Sequence, residues 1–193
     1  MLFNNNPYHK IFTHLTISEK KVLYKLASEI GNGVAVEIGS YYGGSSAFIA
    51  LGLKILHGHL NCIDTWTNSN LCNVEVDGVD LTKDTYHNEK DIFAEFLNNT
   101  KSFENITTHR GLSADIAKQF NKTIDLLFID GDHSEEGVLA DWNAWSPKLN
   151  KERSIVILHD WDWCPGVKNV YLNRIIPLAK KHDSLANMVW AWL

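Results

Sequence analysis

The sequence predicts an α/β fold: a doubly wound, mostly parallel sheet with helices on both faces. Three observations predict it. Short apolar runs rich in β-branched residues alternate along the chain with stretches of helical periodicity. The connections between them are mostly as short as α/β units require. The first apolar run also passes through a glycine-containing turn, EIGSYYGGS (37–45), directly into a helix-like stretch.

The elements follow in order. Residues 18–30 place Val22, Leu23, Leu26 and Ile30 at helical spacing after Ser18, a suitable N-cap, with Gly31 as the stop. Strands are predicted at VAVEI (34–38), HLNCID (59–64), NITTH (105–109), IDLLFID (124–130) and SIVILHD (154–160). The intervening helices are predicted over 45–56, 89–101, 113–120, 134–146 and 166–182. The final MVWAWL reads as a closing strand with Trp190 and Trp192 on one face, which brings the count to six strands. Residues 65–88 form a polar segment too long for an ordinary connection, and a lid loop is expected there.

Composition bounds the rest. At 193 residues, with 45% hydrophobic and 21% charged content, the chain is expected to form one domain over residues 1–193. A formal net charge of −5 removes any general attraction to nucleic acid or anionic lipid. The longest apolar stretch, Ala47 to Leu53, falls far short of the roughly 20 residues of a membrane span. The first ten residues lack the basic-then-apolar order of a signal peptide, so a cytoplasmic protein is expected. Cys62, Cys72 and Cys164 have no metal-site spacing and no even pairing, so neither a disulfide framework nor a thiolate zinc site is expected.

In a doubly wound sheet, ligands bind outside the carboxyl ends of the strands, so function is sought in the residues that end strands. Gly39, Gly43 and Gly44 allow a tight turn and close approach of a ligand to a helix N-terminus. A dinucleotide fingerprint needs a middle glycine where Tyr41 stands, and no Tyr-x-x-x-Lys is present, which weakens an NAD(P)-dependent oxidoreductase. Glu37, aimed at the loop, suits a cationic or hydroxyl-bearing ligand. Asp64 ends the second strand about twenty residues beyond the loop, the distance at which a carboxylate takes both ribose hydroxyls. The pattern fits a nucleoside.

The run VEIGSYYGGSS (36–46), followed by HRGLSADIA (109–117) and IDLLFID (124–130), resembles class I S-adenosylmethionine-dependent methyltransferases, in particular the catechol O-methyltransferase type. The run IDGDHSEEGV (129–138), the following DWNAW (141–145) and the late His159-Asp160 are similar to small relatives that modify sugar hydroxyls. The resemblance covers about residues 33–170 and implies a Rossmann-like sheet of six or seven strands. It implies cofactor contacts from Glu37, Gly39, Ser40, Tyr41, Gly43, Ser45, Asp64 and Thr65, and from Gly111, Ser113, Ala114 and Asp130, with Ser113 and Ala114 beside the adenine. It also implies Asp130 as a metal ligand and His133, in a D-x-x-H pattern, as the base that takes the acceptor's proton.

Asp130, Asp132, His133 and Asp160 would converge on one sheet edge, a costly arrangement unless a cation binds. Hard oxygens from Asp130 and Asp160 suit Mg²⁺, with Asp162 a further candidate ligand, because Trp161 stands where the catechol-type pattern has an asparagine. His159 is the second candidate base, with a buried hydrogen-bonded role as its alternative. Trp142 and Trp145 read as core, whereas Trp161 and Trp163 are candidates for stacking on an acceptor. The expected function is O-methyl transfer to a hydroxyl of a small molecule, a sugar or natural product, with Mg²⁺ assistance. The alternative of a different class is a non-catalytic nucleoside-binding interaction module. A homodimer contact is expected from the two terminal tryptophans if that strand lies at a sheet edge.

Overall fold

A computed structural model describes Phe3 and residues 5–67, 75–76, 79–80 and 91–193. In chain order the elements are α1 (Ile17–Glu29), β1 (Val34–Ile38), α2 (Gly44–Lys54), β2 (His59–Asp64), β3 (Glu75–Val76) and β4 (Val79–Asp80). They continue with α3 (Ile92–Thr100), β5 (Ile106–Arg110), α4 (Ser113–Gln119), β6 (Leu126–Ile129) and α5 (Glu135–Trp145). The chain closes with β7 (Ile155–His159), α6 (Pro165–Val170), β8 (Lys181–Leu185) and β9 (Met188–Trp192).

Seven strands pair in the order β5-β2-β1-β6-β7-β9-β8, and a separate two-stranded pair joins β3 to β4. Polarity sorts the main sheet. All of LLFI in β6 and IVILH in β7 is buried, whereas ITTHR in β5 is only partly covered and KHDSL in β8 is exposed throughout. The apolar strands therefore take the centre and the polar ones the edges. Pairing is parallel from β5 through β7, while β9 runs antiparallel to both β7 and β8. Residues alternate along each central strand between two cores. Leu126, Phe128, Ile155 and Ile157 pack with α1 and α2 residues such as Leu23 and Ile49, and Leu127, Ile129, Val156 and Leu158 pack with Trp142, Trp145 and Val167 of α5 and α6. Strand order reverses between β1 and β6, which sets the ligand crevice at their carboxyl ends.

Four expectations are corrected. The α1 N-cap is Thr16, not Ser18: Thr16 Oγ1 accepts the Glu19 N–H and Glu19 accepts the Thr16 N–H, a complete capping box. Residues 166–182 are not one helix. After α6 the chain widens into a π-helical turn at Tyr171–Ile175, then a 3-10 turn at Ile176–Leu178, where Pro177 has no N–H to continue the ladder. Residues 181–185 are instead the strand β8, which raises the count in the main sheet from six to seven. Finally, β9 lies inside the sheet, so Trp190 is 6% exposed and the indole N–H of Trp192 donates to Glu29. The exposed pair of tryptophans that suggested a dimer contact is therefore absent.

Most of the expected lid, residues 65–88, lies outside the described residues. Cys62 and Cys164 are buried free thiols, and Cys72 is outside the described residues. No helix among the described residues is long and apolar enough to cross a membrane.

Candidate active site

The loop after β1 is fixed from below and from the side. Gly39 has φ +86°, and a Cβ there would stand 2.0 Å from the Asp130 carbonyl oxygen, so only glycine lets β1 and β6 close at their ends. Tyr41, at φ 48°, is held at both ends of its backbone: its N–H donates to Asp64 Oδ2 at 2.9 Å and its carbonyl accepts the Trp66 indole N–H at 2.7 Å. The other Asp64 oxygen accepts the Trp66 backbone N–H at 2.7 Å. Burial pushes the Asp64 carboxyl above its ordinary range, and the backbone donors only partly offset it. Asp64 is thus the tie between β2 and the glycine loop.

Glu37 does not face the crevice. It is fully buried beneath the loop, accepting hydrogen bonds from Ser40 at 2.9 Å and from Ser46, with the Cys62 thiol at 3.4 Å. Burial raises its pKa, and the serine hydroxyls oppose that rise. Ser40 and Ser45 are buried with it, and Gly43, at φ 85°, caps α2. Across the crevice, the Gly111 N–H donates to the Asp64 carbonyl at 2.9 Å, and Ser113 Oγ accepts the Trp145 indole N–H at 2.8 Å at the start of α4. Thr65 is half-buried, and Ala114 is exposed.

A second group stands at the ends of β6 and β7. His133 Nε2 lies 2.8 Å from Asp160 Oδ2 and 3.8 Å from Asp130 Oδ1. His159 Nδ1 lies 3.4 Å from Asp130 and 3.2 Å from Asp160, and its Nε2 is 3.5 Å from Glu19 Oε1. Burial alone would lower both histidines, but the surrounding carboxylates push His133 up to about 10 and His159 up to about 12. The same pairing carries Asp160 well below the usual carboxylate range against its own desolvation. With 3% exposure and a carboxylate beside each ring nitrogen, His159 is a buried counter-ion, while His133 is the more accessible of the two.

The donor set fits a divalent cation. Ligand atoms of Asp130, Asp160 and His159 lie within 4.8 Å of one another; the two carboxylates are the oxygens Mg²⁺ prefers, and His159 would join them only on losing its proton. Asp162 stands outside this group with an exposed side chain, its backbone N–H donating to Asn187 Oδ1. Trp163 is 41% exposed, its indole N–H donating to Asp160 Oδ1 at 2.7 Å. Trp161 instead packs edge-on against Tyr171 beneath Lys168.

Sequence reasoning missed Glu19, Trp66 and Asn187. A T-x-x-E capping signature marks Glu19 as a helix-start residue. Nothing local marks its contact with His159.

A family model described as a methyltransferase domain matches residues 36–161. The fold is similar to that of an O-methyltransferase from Bacillus cereus solved with S-adenosylhomocysteine, at 14% identity and a TM-score of 0.67, covering 96% of this chain and 85% of that one. It is similar to a TDP-rhamnose 3′-O-methyltransferase of calicheamicin biosynthesis, at 18% identity and TM-score 0.63, covering 98% and 84%. A third match is an O-methyltransferase of tomaymycin synthesis from Streptomyces achromogenes, solved with S-adenosylmethionine, at 15% identity and TM-score 0.63, covering 92% and 80%.

Proposed function

The chain belongs to the methyltransferase-domain family, and on that premise we propose that it is an S-adenosylmethionine-dependent O-methyltransferase acting on a hydroxyl of a sugar or natural-product acceptor. One observation carries the reading. A glycine loop pinned to Asp64 and the cluster of Asp130, His133, His159 and Asp160 converge on the carboxyl ends of neighbouring strands, at the switch in strand order.

When bound, S-adenosylmethionine supplies a methyl group on a sulfonium. Gly39, Ser40, Tyr41, Gly43 and Ser45 form the loop that receives it, and Glu37 serves that loop from below by holding Ser40 and Ser46. Asp64 retains lone pairs for ribose hydroxyls beside its backbone donors, with Thr65 next to it. Gly111, Ser113 and Ala114 form the opposite wall, on the side of the base.

Chemistry falls to the second group. Asp160 Oδ2 holds His133 through Nε2; the carboxylates alone keep that ring protonated, and with a cation on them its Nδ1 would be free to take the proton of the acceptor hydroxyl. His159 keeps Asp130 and Asp160 from repelling each other. Asp130 and Asp160 are the residues that would hold Mg²⁺, which would supply positive charge favouring the ionised hydroxyl. The exposed face of Trp163 stands beside His133, with ring centres 6.1 Å apart, and suits the apolar face of a sugar. The TDP-rhamnose 3′-O-methyltransferase of similar fold likewise methylates a sugar hydroxyl.

The test is methyl transfer itself. The protein is incubated with S-adenosylmethionine and a panel of nucleotide-linked sugars, free sugars and catechols, with Mg²⁺ or with EDTA, and release of S-adenosylhomocysteine is followed. Release above the acceptor-free rate, abolished by Asp160→Asn, is expected. Cofactor binding without release on any acceptor returns the protein to the nucleoside-binding module.

A further inference from the structure

The turn between β8 and β9 contributes a residue to the site from the far end of the chain. Asn187 is the second residue of that two-residue turn, and its backbone N–H and both polar atoms of its side chain are used. Its backbone N–H donates to Glu19 Oε1 at 3.0 Å, its Nδ2 donates a short hydrogen bond to Asp160 Oδ1, and its Oδ1 accepts the Asp162 N–H at 3.2 Å.

We propose that Asn187 is a positioning residue of the active site, which fixes the Asp160 carboxylate so that Oδ2 is presented to His133. The proposal deepens the reading of His133 as the proton acceptor and rests on it.

Asp160 needs such fixing. Its φ of 61° is a left-handed conformation uncommon outside glycine, and it persists where surrounding contacts determine it. Oδ1 takes the Trp163 indole N–H at 2.7 Å and the Asn187 amide, with His159 Nδ1 at 3.2 Å, so its acceptor capacity is filled. Oδ2 then stands free of those donors, 2.8 Å from His133. Chemistry selects asparagine at this place. A donor to Asp160 and an acceptor for the Asp162 N–H must leave one short side chain in opposite senses, which an amide does. Aspartate there would set a second carboxylate against Asp160, and alanine would offer neither group.

The arrangement also joins the two ends of the chain at the site. Glu19 caps α1, faces His159 and receives the Asn187 backbone N–H, so the α1 start, the end of β7 and the terminal hairpin meet around one carboxylate pair.

Imidazole-directed ¹H–¹⁵N spectra of the full chain test this, with wild type, Asn187→Ala and Asn187→Asp compared near pH 7. The wild-type His133 Nε2–H is expected to be shifted downfield and protected from solvent exchange. Both variants are expected to lose that shift and to exchange about tenfold faster, while the rings of His59 and His109, outside the cluster, keep their signals. Asn187→Asp retains the acceptor for Asp162, so it reports on Asp160 even if Asn187→Ala fails to fold. A His133 signal unchanged in either folded variant, even with a lowered melting temperature, overturns the proposal and leaves Asn187 as a turn residue. Calorimetry with S-adenosylhomocysteine on the wild type separates the two claims: absence of binding removes the methyltransferase reading, while the His133 signal still decides the role of Asn187.

Discussion

Glu19 Oε1 stands 3.5 Å from His159 Nε2, and neither side chain is more than 4% exposed. The helix cap and the strand end are therefore joined by a buried ion pair. Hydrogen bonds from His159 and Thr16 outweigh the burial of Glu19 and pull its pKa down to about 2. Breaking a buried pair from one side costs about 3 kcal/mol or more, so Glu19→Gln should lower unfolding stability by that order in urea titrations at pH 7. The sign with pH follows from the lowered value. The stabilisation is present above 4.5 and is lost as pH falls toward 2. Wild-type stability should fall more steeply than that of Glu19→Gln across that window, and parallel curves would contradict the pairing.

Asp141 is the converse case. It lies 7% exposed on α5, where burial and the charge of Asp132 outweigh its hydrogen bond with Ser113 and push it up to about 6. The folded protein then holds a proton that the unfolded chain releases near 3.8, so this group's contribution is lost as pH rises through about 6. Asp141→Asn should gain stability over wild type between pH 4 and pH 7, by up to about 3 kcal/mol. Thermal melts at the two pH values check it, and equal differences at both would contradict it.

His133 should titrate far from an ordinary histidine. With Asp130 and Asp160 pushing it up to about 10, its ring signals in a metal-free sample should show a midpoint near that value. Mg²⁺ should lower the midpoint, because a cation on the same carboxylates withdraws the charge that raises it. A metal-free midpoint near 6.5 would contradict the geometry.

Trp163 and Trp161 should separate by function. Trp163→Ala is expected to raise the acceptor KM by about tenfold, the scale of one lost aromatic contact. Trp161 packs on Tyr171, so Trp161→Ala should act on stability first. Steady-state kinetics beside thermal melts distinguish them, and equal KM values for Trp163→Ala and wild type would remove the stacking role.

The legible parts of the fold were those with a strong local pattern. The runs VAVEI, IDLLFID and SIVILHD are apolar because they are buried on both faces, and the glycines at 39 and 43 are required by positive φ. β8 was hidden because KHDSL is an exposed edge strand with no buried face to leave a pattern. In the site, the residues that end strands were legible by position alone, Asp64, Asp160 and His159 among them. Glu19 and Asn187 were not, since they are 168 residues apart and meet only when the hairpin folds back over α1.

Isothermal calorimetry with S-adenosylhomocysteine, with NAD as the control ligand, tests the central claim most directly. The loop pinned by Asp64 to Tyr41 predicts micromolar binding of S-adenosylhomocysteine, strong loss of that binding in Asp64→Ala, and no heat with NAD. Binding of NAD in place of S-adenosylhomocysteine, or of neither, would contradict the account at its root.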